Sequence, residues 1–382
     1  MRNFLRAILR FFQEADIFLL AFSLISTVYG ILLIFSARKS VSTNEVYVQI
    51  GALVIGLVLF VLFSYVDIDI IADKSGFLIA ISVLFISTLF FWGEGMAEYG
   101  NKAWLRFFGI GIQPAEVVKI TFVIIIAKMI SNYRERKTLN SFVPLLQIML
   151  VFIVLFGLIL FVSSDLGTAL IYLFMLVVML FVGGVKLRWF ALGGAIIAAM
   201  SPIFWFNYLS ERHRARILAP IFPELLDNPD LYDEIMWQAQ QSLQAISLGG
   251  PFGKGYGNGR MTQRGLIPFQ HTDFVFSIAG EEFGFVGCLI IIALLLVIII
   301  RCIYIGIKSN NTLGLLVCTG IAAMLISQTI ENIGMCLTLL PVIGITLPFF
   351  SYGGSSLVTC FAAMGIVSGI KMRPKSARFR NI

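Results

Sequence analysis

Long apolar runs separated by short polar segments dominate the chain. Apolar runs of about 18–25 residues are long enough to cross the hydrocarbon core of a bilayer as helices. The pattern therefore predicts an all-α polytopic membrane protein with about ten spans, folded as a single integral membrane domain over 1–382. The spans are predicted at 16–36, 46–66, 76–93, 115–131, 143–162, 166–185, 189–207, 274–300, 311–331 and 349–371.

Composition supports this interpretation and excludes a soluble globular class. Hydrophobic residues make up 59% of the chain and charged residues 13%, whereas soluble domains carry about a quarter charged residues. The net charge of +7 comes from short basic clusters between apolar runs, so we expect no nucleic-acid partner. The five scattered cysteines and two histidines lack the spacing of a zinc site or a disulfide framework.

Basic residues concentrate at both ends of the chain and in short loops on one side of the predicted spans. By the positive-inside rule, both termini are expected in the cytoplasm. The long connection at about 208–273 then forms a large extracellular loop, and 94–114, 163–165 and 332–348 face the same side. Any chemistry is therefore expected at the outer face.

Two charged residues lie at the start of the predicted span 115–131. Glu116 and Lys119 are three residues apart, and so share one helix face. Each costs about 2.5–3.5 kcal/mol at the centre of a span. They form either a polar cavity facing the bundle interior, which we favour, or a mutual ion pair near the outer interface.

Cations and aromatic residues alternate just before that span. Lys102 and Arg106 flank Trp104, a mixture typical of an interfacial anchor. The same cations would suit the pyrophosphate of an outer-leaflet lipid. The basic cluster 212–216, which includes Arg216, opens the long loop, and a membrane-surface anchor is one explanation of it.

Two further segments contain irregular backbone. The glycine-rich run 249–259 is not a Walker A loop, because Gly255 follows Lys254 where that motif has Ser or Thr. It permits close backbone approach to a bulky ligand, but a flexible linker would look the same. Prolines and glycines in 341–356 indicate irregular backbone near membrane depth, which requires protein or a watery cavity around it.

The end of the long loop offers a candidate general base. Asp273 stands where the chain re-enters the membrane, and partial desolvation there would raise its pKa towards a useful range. His271 is a rival base with a more suitable starting pKa. A third interpretation is that Asp273 and Thr272 cap the next helix. The residues alone do not separate these three.

Several motifs in order resemble the RodA/FtsW (SEDS) family of shape, elongation, division and sporulation proteins, and the resemblance covers essentially the whole chain. They are Gln113-Pro114-x-Glu116-x-x-Lys119, Ser164-Asp165-Leu166-Gly167-Thr168, Gly253-Lys254-Gly255, His271-Thr272-Asp273-Phe274 with Gly280-Glu281-Glu282-x-Gly284, and Leu347-Pro348-Phe349-x-Ser351-Tyr352-Gly353-Gly354-Ser355-Ser356.

The resemblance implies an inverting peptidoglycan glycosyltransferase that polymerises lipid II into β-1,4 glycan strands at the outer face of the bacterial cytoplasmic membrane. Asp273 matches the family's essential aspartate, the base that would deprotonate the acceptor hydroxyl. Glu116 and Lys119 match polar residues of the family's central cavity. Lys102, Arg106 and Arg216 become candidates for the pyrophosphate, and His271 and Ser351 for other substrate contacts.

The resemblance also implies partners. These are a class B penicillin-binding protein transpeptidase and other elongation or division complex proteins. A divalent cation (Mg or Mn) is plausible against the leaving group, although no ligand cluster in the sequence supports a metal site. The alternatives are a lipid II flippase and a membrane scaffold. An outward base such as Asp273 serves a polymerase and has no use in a flippase.

Overall fold

A computed structural model describes residues 11, 13–37, 43–95, 101–107, 110–207, 211–220, 222 and 229–373. Helices account for most of them, and we number the elements in chain order. The helices are α1 (Ile17–Ser36), α2 (Thr43–Tyr65), α3 (Ile68–Asp73), α4 (Ser75–Ser87), α5 (Leu89–Trp92), α6 (Pro114–Glu135), α7 (Phe142–Leu158, extended by a π-helical turn Ile159–Ser163), α8 (Leu166–Gly183), α9 (Leu187–Asn207), α10 (Glu211–Leu218), α11 (Pro229–Gly249), α12 (Arg260–Gln263), α13 (Val275–Lys308), α14 (Thr312–Cys336) and α15 (Gly354–Met372).

Membrane-length helices occur wherever the apolar pattern predicted a span. Within the described ranges, nine helical segments are long and apolar enough to cross a membrane. The remaining predicted span corresponds to α6, which has 22 residues but carries more charge. The last span begins at Gly354, later than the predicted residue 349, because the backbone before it is irregular. The protein is a multi-pass membrane protein, as predicted.

Small residues set how closely the helices pack. A Cβ atom added to Gly365 of α15 would lie 2.6 Å from the carbonyl oxygen of Phe60 in α2, and one added to Gly30 of α1 would lie 2.5 Å from the carbonyl oxygen of Phe350. Glycine permits such close approach of backbones in a bundle that has lipid around it. Helices α1, α2, α6, α8, α13, α14 and α15 thereby share one buried core.

Helix α9 differs from the other long helices because it meets this core through Trp189 and Phe190 in its first turn. None of its most apolar stretch is buried against the described chain, whereas most of the corresponding stretches of α14 and α15 are buried. The exposed side chains of this stretch, such as Leu192, Ile196 and Ile197, therefore face outwards, where a bilayer would surround them.

Helices make up much of the described part of the long connection after α9. It contains α10, α11 and α12, and α11 packs along α13. A short antiparallel hairpin, β1 (Leu105–Phe107) with β2 (Ile110–Ile112), precedes α6 and was not predicted. The side of the membrane on which these segments lie stays a prediction, since the basic residues in 1–10 and 374–382 lie outside the described residues.

Candidate functional site

A tight turn immediately before α13 carries Asp273. The backbone N–H groups of Asp273 and Phe274 both donate to the carbonyl oxygen of Phe269, at 3.0 and 3.3 Å. Phe269 has φ +47°, an uncommon conformation for a residue with a side chain. The N-cap of α13 is Phe274, with no side-chain cap, and the Thr272 hydroxyl donates to Phe269. Helix capping therefore does not explain Asp273.

The pKa of Asp273 is shifted towards neutrality. Burial raises the pKa, a hydrogen bond from Thr272 lowers it and the Asp165 carboxylate raises it, and together they bring it to about 7. A carboxyl group with a pKa near the working pH is suited to general-base catalysis. The geometry and the electrostatics of this turn therefore favour Asp273 as a base.

Asn332, near the end of α14, holds the main chain of this turn. Its amide nitrogen donates to the carbonyl oxygens of Asp273 and Ile345, each at 2.7 Å. The Cys336 thiol lies 3.8 Å from the same Asp273 oxygen. Asn332 is fully buried, so these bonds are shielded from water. It joins the Asp273 turn to the irregular segment before α15.

We expect Asn332→Ala to destabilise the protein and to lower its activity. The substitution leaves two carbonyl groups without their donor, and each buried unsatisfied group costs about 1–3 kcal/mol. Thermal unfolding in detergent and an activity assay measure the two effects. Gln240→Ala, at an exposed site on α11, is the matched control. Unchanged stability in Asn332→Ala would contradict the bridging role.

Asp165 is a central residue that the sequence analysis did not select. It caps α8 and accepts hydrogen bonds from the Thr168 N–H (2.9 Å), the Thr168 hydroxyl (2.8 Å) and the Gln113 amide (2.9 Å). Burial raises its pKa, which the Thr168 bonds oppose. Ser164, in the left-handed region at φ 55°, turns the chain into this position. Only its place in a family motif signalled Asp165.

Glu116 and Lys119 form a buried ion pair in the first turns of α6. The Lys119 ammonium lies 2.6 Å from Glu116 Oε1, and its side chain is inaccessible to solvent. The predicted shared helix face is thus present, and each residue is the other's partner. The Gln113 amide, directly before α6, donates to Asp165, so the ion pair and Asp165 belong to one polar interior.

The basic candidates lie at the periphery. Arg106 on β1 is exposed, with Nε 3.9 Å from a Glu94 carboxylate oxygen. Lys102 is exposed, and its backbone N–H donates to Ser163. Arg216 is exposed on α10. Their proposed role at a pyrophosphate stays a prediction.

His271 joins the Asp273 turn to the segment that carries Ser351. The His271 ring packs against Tyr352, with centroids 5.7 Å apart, and its carbonyl accepts from the Tyr352 N–H at 2.8 Å. Burial lowers the pKa of His271. The Ser351 hydroxyl accepts from the Leu347 N–H at 2.8 Å. The Gln49 side chain bonds to the backbone of Ser351 and of Gly353. Through its bond with Leu347, the Ser351 side chain helps to shape the segment before α15.

The described residues contain no group of three or more His, Cys, Asp or Glu side chains arranged to hold a metal ion. The carboxylates near Asp273 are instead engaged by amide, hydroxyl and ammonium donors. The described part of the chain therefore offers no fitting site for the divalent cation.

Fold and site together define a polytopic α-helical membrane protein with buried carboxyl groups in its helical bundle and a further carboxyl group, that of Asp273, at the turn before α13. The FTSW_RODA_SPOVE cell cycle protein family matches residues 16–376, and the chain belongs to this family. It is 30% identical over 348 residues to the peptidoglycan glycosyltransferase MrdB of Escherichia coli K12, covering 91% of each chain. It is 32% identical over 366 residues to the probable peptidoglycan glycosyltransferase FtsW of Bacillus subtilis 168, covering 90% and 87%.

Solved structures show the same architecture. A chain from a peptidoglycan synthase complex, described as coordinating polymerization and crosslinking, superposes with a TM-score of 0.81 at 28% identity, covering 95% of this chain and 99% of that one. The rod shape determining protein RodA of Thermus thermophilus superposes with a TM-score of 0.68 at 25% identity, covering 95% and 98%. Both likenesses extend over nearly the entire chain.

Proposed function

We propose that this protein is a peptidoglycan glycosyltransferase that polymerises lipid II at the outer face of the cytoplasmic membrane. The names of its relatives support the reaction class. The observation that carries the proposal is Asp273, a carboxyl group with a near-neutral pKa at the boundary between the extramembrane helices and the bundle. A lipid-linked substrate would present its sugar at this boundary.

In the proposed reaction, Asp273 removes the proton from the 4-hydroxyl of the acceptor GlcNAc. That oxygen attacks C1 of the donor MurNAc, and undecaprenyl pyrophosphate leaves from the opposite face. One base and a stabilised leaving group suffice for such an inverting displacement. Asn332 fixes the backbone that carries the base. Exposed Lys102, Arg106 and Arg216 are the proposed cationic partners of the pyrophosphate.

We also propose a class B penicillin-binding protein as partner, together with other elongation or division complex proteins. The structural neighbour from a complex that combines polymerization with crosslinking supports this pairing. The orientation with both termini in the cytoplasm belongs to the same proposal, because it places Asp273 on the side where a transpeptidase acts.

Polymerisation of purified lipid II tests the proposal directly. The protein, with its cognate transpeptidase in liposomes, is expected to convert labelled lipid II into glycan chains that a muramidase degrades. Failure to form chains, combined with movement of lipid II across the vesicle membrane, would favour the flippase alternative. Failure of both would leave the scaffold interpretation.

The pH dependence should identify the base. Since Asp273 must be deprotonated to act and has a pKa of about 7, kcat/KM is expected to rise with pH through about 7 and then level. A histidine base would place this limb below about 6.5, because burial lowers the pKa of His271. A profile measured from pH 5 to 9 distinguishes them, and His271→Gln should retain the limb near 7. Loss of that limb in His271→Gln would contradict the assignment.

A further inference from the structure

The glycine-rich run is a rigid part of the fold. Backbone N–H groups of Lys254 and Phe285 donate to the carbonyls of Glu281 and Gly250, respectively, both at 2.9 Å. Gly284, with φ 68° and ψ −162°, interrupts the helical geometry of α13 and makes this pairing possible. A Cβ at Gly284 would lie within 2.3 Å of the run's backbone. Segment 250–266, which we call the boundary loop, is thus fixed to α13.

Its contacts place the boundary loop at the ends of the spanning helices. The Gln263 amide donates to the carbonyl oxygen of Ser36, the last residue of α1, at 2.8 Å. The Ser36 hydroxyl donates in turn to the Glu282 carboxylate. The Gln270 amide donates to the Thr262 carbonyl at 3.2 Å, so the loop lies at the end of the bundle that carries Asp273.

The apolar side chains of the boundary loop continue the lipid-facing surface of α13. Phe285, Leu289 and Ile290 are exposed on this spanning helix, with Phe285 64% exposed, and such surface faces lipid in a membrane. The Val286 N–H donates to the Pro251 carbonyl at 3.2 Å. The next residue, Phe252, is 82% exposed. A rigidly held aromatic side chain at this depth is typical of the lipid–water boundary.

The polar side of the boundary loop is cationic. Lys254, Arg260 and Arg264 are all exposed, and 250–266 contains no aspartate or glutamate. The neighbouring carboxylate of Glu281 is buried and accepts from the Met261 and Thr262 N–H groups, so it does not offset these charges at the surface. Cations next to the hydrocarbon boundary attract anionic headgroups.

We propose that the boundary loop is a membrane anchor that inserts Phe252 into the bilayer and binds the headgroups of anionic phospholipids through Lys254, Arg260 and Arg264. Its continuity with the lipid-facing side of α13 selects a lipid surface over a protein partner. Because the loop is bonded to Glu281 and Phe285 of α13, the helix that begins after the Asp273 turn, the anchor fixes the height of the catalytic turn above the membrane.

Site-directed fluorescence quenching tests the insertion. All five native cysteines are buried, so an environment-sensitive fluorophore can be attached selectively to Phe252→Cys. Leu289→Cys is the lipid control and Glu135→Cys, exposed at the C-terminal end of α6, is the water control. In liposomes, a spin label on the acyl chain should quench residue 252 as it does residue 289. Quenching by aqueous iodide at the level of residue 135 would overturn the anchor.

Spin-labelled lipids test the headgroup preference. In vesicles of phosphatidylcholine with a trace of spin-labelled phosphatidylglycerol, the wild type should immobilise this lipid several-fold more than spin-labelled phosphatidylcholine. The triple variant Lys254→Gln, Arg260→Gln and Arg264→Gln should lose part of that preference. An unchanged preference would overturn the headgroup assignment. The headgroup assignment would also be overturned if the only change in the triple variant were a raised KM for lipid II in pure phosphatidylcholine. The three cations would then bind the substrate.

Discussion

Asp273→Ala is expected to abolish glycan polymerisation while leaving the protein folded. Loss of a positioned general base lowers a rate by about 10²–10⁴-fold, which takes the product below detection in most gel assays. The fold should persist because the Asp273 side chain does not cap α13. Removing a desolvated carboxyl group also relieves a cost of burial. Chain formation from labelled lipid II and thermal unfolding in detergent measure the two outcomes.

The matched control is Asp73→Ala. Asp73 pairs with Lys128 at 2.5 Å, and Lys128 lies about 13 Å along α6 from Lys119, at 1.5 Å per residue. This substitution also removes one carboxylate, but far from the proposed site, so polymerisation should continue. Equal rates in Asp273→Ala and the wild type would contradict the role of Asp273 as base and would turn attention to His271.

The spans were predictable because membrane crossing demands length and apolarity, both of which are local properties of sequence. Helix α6 was predictable despite its charges, since Pro114 starts it and an apolar run follows. The helices within 208–273 were not predictable from the sequence. Its helices α11 and α12 pack against α13, and such long-range contacts leave no periodic signal within a short polar segment.

The catalytic candidate could be named from sequence, but its surroundings could not. Asp273 stood out as a carboxylate at a membrane boundary. Asp165 looked like part of a three-residue loop, and its hydrogen bond with Gln113 depends on how α8 and α6 pack. Asn332 resembled an ordinary polar residue near a helix end, although its two bonds join segments distant in sequence. Tertiary packing created both roles.

The buried pair of Glu116 and Lys119 should show the second large effect. Lys119→Met leaves the Glu116 carboxylate without its cation, and Glu116→Gln leaves the ammonium without its anion. Breaking a buried ion pair by removing one partner costs about 3–5 kcal/mol. Each single variant should therefore unfold at a clearly lower temperature in detergent. The double variant removes both charges and should regain most of the lost stability.

Activity then separates the two interpretations of this pair. If Glu116 and Lys119 only stabilise the bundle, the stable double variant should polymerise lipid II at nearly the wild-type rate. If they also shape the polar interior shared with Asp165 and Asp273, the double variant should be folded and impaired, which is the result we expect. A double variant no more stable than the single ones would contradict the premise that the two charges act mainly on each other.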